Sequence, residues 1–210
     1  MNERSTIECK PNGPYLVKNL EHLKDGQGHR MDTQTVMALC RCGGSANKPF
    51  CDGTHQKNGF SGAKLAEPGP DPRRSYPAKG ITIHDNRSLC AHAGHCTAGL
   101  AAVFKYGSKP WIDASGAAVE VIIETIRKCP SGALSYTLAD SPGEDQQQQP
   151  SITVTKDGPY AVAAAALLLD PSSAQGASTA HYTLCRCGAS KNKPFCDGTH
   201  WNIGFKDEGR

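Results

Sequence analysis

The chain has 210 residues, of which 38% are hydrophobic but only 6% aromatic, and a formal charge of +3. That is enough material for two or three small domains and too little for one large core. So mild a positive charge, scattered along the chain, argues against a nucleic-acid partner. The longest apolar run, Ala161 to Leu169, is half of the ~18 residues that span a bilayer, so no membrane association is expected.

Ten cysteines are present, and the first twenty residues hold Glu3, Arg4, Glu8 and Lys10 without an apolar leader core. The thiols are therefore expected to be reduced or metal-bound in a cytoplasmic protein.

In chain order, residues 1–60 form a first unit, in which Asn12-Gly13 reads as a turn between two extended runs and Thr35 to Leu39 as the strand leading to Cys40. Residues 61–79, with Pro68, Pro70, Pro72 and Pro77, read as a linker. The segment 80–138 has a different pattern. It predicts a strand near Gly80 to His84, a short helix from Cys96 to Phe104, a strand at Trp111-Ile112 and an amphipathic helix from Ala117 to Arg127. That helix ends before Cys129-Pro130, since proline cannot continue a helix interior. The predicted order is β-α-β-α. A second linker covers 139–150, with Pro142, Gly143 and Gln146 to Gln149. The last unit, 151–210, repeats the first: 7–60 aligns with 152–205 at an offset of 145 without a gap, and 24 of the 54 pairs are identical. Its Asp157-Gly158 turn and His181 to Leu184 strand are the counterparts of those in the first unit.

Both units carry Cys-Arg-Cys-Gly-x-Ser-x-Asn-Lys-Pro-Phe-Cys-Asp-Gly-Thr-His, at 40–55 and 185–200. Three thiols and one imidazole at C-x-C-x8-C-x3-H spacing suit zinc or an iron–sulfur cluster. Most zinc knuckles use C-x2-C, whereas a C-x-C pair can grip one iron of a two-iron rhomb while the other cysteine and the histidine grip the second. Asp52 and Asp197 are placed to cap a helix start, and Gly53 and Gly198 let the backbone approach a cluster. The histidine then falls in the first helical turn, where backbone amides favour an anionic group.

This pattern resembles the CDGSH iron–sulfur (NEET) family, with Thr54 and Thr199 where the family name has Ser. The resemblance implies one [2Fe-2S] cluster on Cys40, Cys42, Cys51 and His55 and another on Cys185, Cys187, Cys196 and His200. Ser45, Ser190 and the backbone around Pro49 and Pro194 would support the bridging sulfides. With two copies in one chain, it further implies an α+β protein whose two small antiparallel β units form an intramolecular pseudo-dimer in a soluble monomer. A neutral imidazole in place of a thiolate removes one negative charge, which raises the potential above that of four-cysteine ferredoxins. It also makes the clusters proton-coupled and acid-labile. Arg41, Arg186, Lys48 and Lys193 are candidates for neutralising the cluster charge, with plain surface charge the other reading for the lysines.

In the middle segment, Cys90-x5-Cys96 and the distant Cys129-Pro130-Ser-Gly-Ala string resemble a divergent single-cluster ferredoxin, a half-ferredoxin-like domain. Ala93 stands where the C-x2-C-x2-C pattern has its central cysteine. Three cysteines suit a [3Fe-4S] cluster, and a [4Fe-4S] cluster requires a fourth ligand such as His92, His95 or an exogenous thiol. The other reading is three ordinary buried cysteines. Cys9 pairs with Val154 at the repeat offset, which assigns it to packing. Trp111 and Trp201 are expected as core anchors. No serine sits in a nucleophile elbow, and a carrier rather than an enzyme is expected. Electron transfer with redox partners is the first function to consider. Cluster or iron trafficking to apo-iron–sulfur proteins, redox sensing, and a zinc-bound interaction module are the alternatives.

Overall fold

A computed structural model describes residues 4–65, 73–139, 141–143, 148–164, 166–168, 178 and 180–209. Pro68, Pro70, Pro72, Gln146, Gln147 and Leu169 lie outside the described residues.

The first repeat contributes β1 (Thr6–Cys9), β2 (Tyr15–Lys18), β3 (His22–Lys24), β4 (Arg30–Met31) and β5 (Val36–Leu39). Strands β1 and β2 form the hairpin that the Asn-Gly pair predicts, with Asn12 at a positive φ of 47°. Alternate residues of these strands face inward, so Ile7, Tyr15, Val17, Met37 and Leu39 are buried.

The middle unit holds β6 (Arg74–Ala78), β7 (Ile81–Asp85), α1 (His95–Gly99), α2 (Val119–Arg127), β8 (Leu134–Leu138) and β9 (Ser141–Pro142). The strands form one antiparallel sheet in the order β6-β7-β8-β9. On α2, Ile122 and Ile126 turn inward and pack with Ile81, Ile83, Val103, Phe104 and Ile112. The β-α-β-α expectation is thus corrected to β-β-α-α-β-β. The stretch read as the end of the 61–79 linker is a strand, and its Pro77 is tolerated because β6 lies at a sheet edge. Leu134-Ser-Tyr-Thr-Leu138 alternates apolar and polar residues and pairs with β7. Trp111-Ile112 is too short to extend a ladder and leaves a single bridge, Phe104 to Ile112. The helix expected to run to Phe104 stops at Gly99.

The second repeat supplies β10 (Ser151–Val154), β11 (Tyr160–Ala163), β12 (Ala166–Leu168), β13 (His181–Leu184) and α3 (Thr199–Asn202). The two repeats then exchange strands. β3 of the first repeat pairs in parallel with β10, Leu23 opposite Ile152, while β12 of the second pairs in parallel with β1, Leu167 opposite Ile7. The resulting sheets, β12-β1-β2-β5 and β13-β11-β10-β3-β4, each contain strands from both repeats. One core lies between them, with Ile7, Tyr15, Leu23 and Leu39 packed among Ile152, Tyr160, Tyr182 and Leu184. Leu89 and Ala133 of the middle unit belong to that same core. The architecture is α+β, dominated by small sheets.

Candidate metal centres

In each repeat the last strand delivers the Cys-x-Cys pair, and the chain then loops back to bring the third cysteine beside the histidine. Leu39 bridges Phe50, and Leu184 bridges Phe195. Cys40 N–H donates to the Pro49 carbonyl and Cys185 N–H to that of Pro194, both at 2.8 Å. These bonds close the loop around the site. Cys40 Sγ lies 3.8 Å from Cys42 Sγ, and Cys185 Sγ lies 3.8 Å from Cys187 Sγ. Cys51 Sγ stands 3.3 Å from His55 Nδ1, and Cys196 Sγ 3.4 Å from His200 Nδ1. All eight predicted ligands are thus arranged as two thiol pairs and two thiol–imidazole pairs. Among the described residues, no three His, Cys, Asp or Glu side chains converge as a single bound ion needs. A donor set split into two pairs fits a two-iron core, one pair to each iron.

The Asp-Gly step positions each histidine. Gly53 and Gly198 take φ of 86° and 83°, a left-handed conformation that glycine adopts without a Cβ penalty, and the helical turn starts immediately after. The helix-start residue is therefore the glycine, and the aspartate one place earlier acts as the clamp. Asp52 accepts from Thr54 N–H at 3.0 Å and Ala46 N–H at 2.8 Å, and Asp197 accepts from Thr199 N–H and Lys191 N–H at the same distances. Each carboxylate ties the Cys-x-Cys loop to the histidine turn. The Thr54 hydroxyl and N–H, together with the Ala46 N–H, hold Asp52 well below the usual carboxylate range.

Ser45 and Ser190 are buried at this loop, but their hydroxyls donate to the Phe50 and Phe195 carbonyls at 2.7 Å. The Ser45 backbone N–H is what faces Cys40 sulfur. The four charges considered for neutralising the cluster are hydrogen-bonded within the loops. Arg41 donates to the Lys10 and Gly62 carbonyls and lies over the Tyr15 and Phe60 rings. Arg186 binds the Gly158 and Thr155 carbonyls and pairs with Asp207 at 2.7 Å. Lys48 and Lys193 donate to the Ser45 and Ser190 carbonyls. All four act as loop clamps, and for the buried Arg41, Arg186 and Lys193 these bonds are what make the burial of a charge tolerable.

Two residues that the motif does not contain complete the site. The Tyr15 hydroxyl donates to the carbonyls of Cys185 (2.9 Å) and Pro194 (3.1 Å), and that of Tyr160 donates to Cys40 (2.9 Å) and Pro49 (3.0 Å). Each repeat thereby holds the metal loop of the other. Burial pushes both phenols well above their ordinary pKa, so they remain donors. Their signal in the sequence was the Gly-Pro-Tyr string common to both repeats. The two metal loops also touch directly. A Cβ on Gly43 would lie 2.6 Å from the Cys187 carbonyl oxygen, and one on Gly188 would lie 2.5 Å from that of Cys42.

Electrostatics favour the ligating forms unevenly. Burial lowers the pKa of His200 and keeps its imidazole neutral, the form that binds metal. Burial pushes the Cys196 thiol up to about 12, so metal binding there releases a proton.

In the middle unit, Cys90, Cys96 and Cys129 line one cavity with Ala91, Ala93 and Gly94. The three thiols border one hollow and also pack against the flanking cores, Cys90 and Cys129 against the shared core and Cys96 and Cys129 against the middle one, and burial raises the pKa of Cys90 and Cys96. His92 and His95 line the same cavity. Cys9 packs against the shared core as expected. Trp111 donates to Asp85 at 3.0 Å beside the middle cavity. Trp201 is 64% exposed, so it is not a core anchor, and its ring lies 5.7 Å from that of His200.

Comparison with known proteins agrees with this geometry. Residues 12–56 and 157–201 match the family described as iron-binding zinc finger CDGSH type, and residues 76–139 match the divergent 4Fe-4S mono-cluster family. The uncharacterized protein YjdI of Escherichia coli K12 is 36% identical over 63 residues, covering 30% of this chain and 83% of YjdI, and YjdI of the O157:H7 strain matches equally. No solved structure matches. No helix among the described residues is long and apolar enough to cross a membrane. With both repeats and the segment between them accounted for, the chain belongs to the CDGSH iron–sulfur family, as a tandem member whose two CDGSH domains flank a divergent 4Fe-4S mono-cluster domain.

Proposed function

We propose that this protein is an electron carrier and not an enzyme. It would hold two [2Fe-2S] clusters on Cys40, Cys42, Cys51, His55 and on Cys185, Cys187, Cys196, His200, and a [3Fe-4S] or [4Fe-4S] cluster on Cys90, Cys96 and Cys129. The observation that carries the reading is contiguity. The two metal loops meet backbone to backbone at Gly43 and Gly188, and the His92 ring lies over Gly198, within 2.5 Å of where a Cβ would be. Three cluster sites in one packed series suit the relay of single electrons.

When bound, the clusters supply one-electron redox chemistry at potentials set by ligand charge, hydrogen bonding and burial. The chain's own residues set those terms. His55 and His200 leave each repeat site one negative charge short of a four-thiolate site. Gly44 N–H faces Cys42 sulfur at 3.4 Å and Gly198 N–H faces Cys196 sulfur at 3.5 Å, and such bonds stabilise added negative charge. The reciprocal strand exchange supports an intramolecular pseudo-dimer and hence a monomer. Ten free thiols suit a reducing compartment such as the cytoplasm. The partners would be redox or apo-iron–sulfur proteins.

The test is anaerobic purification with iron, zinc and sulfide analysis and EPR before and after reduction. The expected result is about seven or eight irons with matching sulfide per chain and reversible reduction giving a rhombic signal. Zinc without sulfide, or clusters that do not cycle, would sink the proposal. One observation favours cluster trafficking as a second reading: His55 is half-exposed where His200 is buried. Complete transfer of a cluster to an apo-ferredoxin, slowed by His55→Cys, is the result that reading requires.

A further inference from the structure

The two metal loops have nearly the same sequence but not the same surroundings. In the second repeat Asn192, Phe195, Cys196 and His200 are buried, Asn192 at 7% exposure and His200 at 5%. Their counterparts in the first repeat are Asn47, which is exposed, and Phe50, Cys51 and His55, which are half-buried. The residue types match in every pair, so the difference comes from neighbours.

The middle unit is the neighbour. Asn192 Nδ2 donates to the Ser88 carbonyl at 3.0 Å, and the His92 ring covers Gly198. Leu89 and Ala133 share a core with Tyr182 and Phe195. Gly132 lies so close to the second repeat that a Cβ there would stand 3.1 Å from the His181 carbonyl oxygen, at the start of edge strand β13.

On the first repeat the corresponding face is open among the described residues. Met31, Val36, Met37, Asn47, Phe50 and Cys51 line a groove of about 700 Å³. Val36 is 50% exposed on β5, which, like β13, is the edge strand of its sheet. The Asn47 side-chain amide, whose twin is spent on Ser88, has no hydrogen bond among the described residues. Val36, Met37, Asn47 and Phe50 of the groove correspond, at the repeat offset, to His181, Tyr182, Asn192 and Phe195, the residues through which the second repeat meets the middle unit.

We propose that this groove is the docking face for a separate small iron–sulfur protein of the single-cluster ferredoxin type. It would reach the first repeat's site as the middle unit reaches the second. The chain holds its own template for the complex: the Arg87–Leu89 turn beside Cys90, Leu89 and Ala133 in one core with the phenylalanine, and the Ser88 carbonyl for the asparagine amide. A second copy of this chain does not supply that loop, because its Leu89 and Ala133 are buried against its own second repeat. The purpose of docking rests on the electron-transfer reading, but the contact itself does not.

The experiment titrates the full-length holoprotein with a purified oxidised bacterial single-cluster [4Fe-4S] ferredoxin as probe, read by calorimetry. Two groove variants, Val36→Lys and Asn47→Lys, alter surface side chains that ligate nothing, and Tyr106→Ser, at a residue 92% exposed on the middle unit, is the control. Saturable one-to-one binding, weakened about tenfold or more by each groove variant (about 1.4 kcal/mol) and unchanged by the control, is expected. Absence of saturable binding, or binding indifferent to both groove variants, overturns the proposal. So does self-association of the holoprotein that Asn47→Lys abolishes, since the occupant is then a second copy. Binding without electron passage in stopped flow leaves the docking face and removes the electron-transfer reading. Reversible reduction by a small-molecule donor without ferredoxin binding does the reverse.

Discussion

The repeat sites and the middle site solve the same problem by different routes. A repeat site is written within sixteen consecutive residues, and its loop is closed by bonds inside that string, such as Asp52 to Ala46 and Ser45 to Phe50. The middle site draws Cys90 and Cys96 from one stretch and Cys129 from beyond α2, so it exists only once the helix has packed on its sheet. A locally written site can be copied and moved, whereas a distributed one depends on its whole domain. The repeats add a qualification, because each local loop is also held from the opposite repeat.

The strongest way to break that arrangement is Gly43→Val. Its Cβ would collide with the Cys187 backbone, and the residue has a φ of 74° that a β-branched side chain resists. We expect loss of iron and sulfide from both repeat sites and a stability cost on the order of 4 kcal/mol or more, read by metal analysis and urea unfolding. Gly53→Val, at a position with open space around the Cβ, should lose iron from the first site alone.

Ile122→Ala tests the distributed site. Ile122 is fully buried between α2 and the middle sheet, and truncation there costs about 2–5 kcal/mol. The expected outcome is loss of the middle site's iron with both repeat sites retained. Loss of all three together would show that the middle unit is not an independent domain.

Tyr15→Phe sharpens the cross-repeat claim. It removes a hydroxyl bonded to two carbonyls of the other repeat, at a cost of about 1–3 kcal/mol. Release of iron to a chelator should accelerate at the second site, followed in a Cys51→Ser background, and not at the first, followed in a Cys196→Ser background. Acceleration at the first site instead would contradict the reciprocal wiring.

The smallest effect is expected from Asp52→Ala in the metal-free protein. The native carboxyl is held below its ordinary range, so its contribution is present above the unfolded carboxylate pKa and is lost as pH falls toward the depressed folded value. Parent and variant should therefore differ in urea midpoint at neutral pH and converge in acid. A difference that persists in acid would mean that Asp52 acts through packing.

Much of this was legible in the chain. The six cysteines and two histidines that the repeats bring together follow from spacing, and the hairpin turns follow from Asn12-Gly13 and Asp157-Gly158. What could not be read was anything decided across a distance. Nothing in His22-Leu23-Lys24 says that it pairs with Ser151 to Thr153 on one side as well as with β4 of its own repeat on the other, because strand register is set by the partner. Arg41 and Arg186 look like cluster-facing cations until the carbonyls of Lys10, Gly62, Thr155 and Gly158 are seen to claim them. In the middle unit, β8 alternates apolar and polar residues but follows so closely on the Cys129-Pro130 string that the helix end dominates the local pattern.

The exchanged strands have a consequence for synthesis. On the ribosome, β3 emerges long before β10, the strand it must pair with, and β1 waits longer still for β12. At ~5–20 residues per second the delay is roughly 6 to 25 seconds for β3 and roughly 8 to 32 seconds for β1, during which the first repeat carries unpaired strand edges that neighbouring nascent chains can adopt. A message cut short within the middle unit would thus yield an open-edged fragment in place of a smaller carrier, because β1 and β3 would lack the strands that cover them.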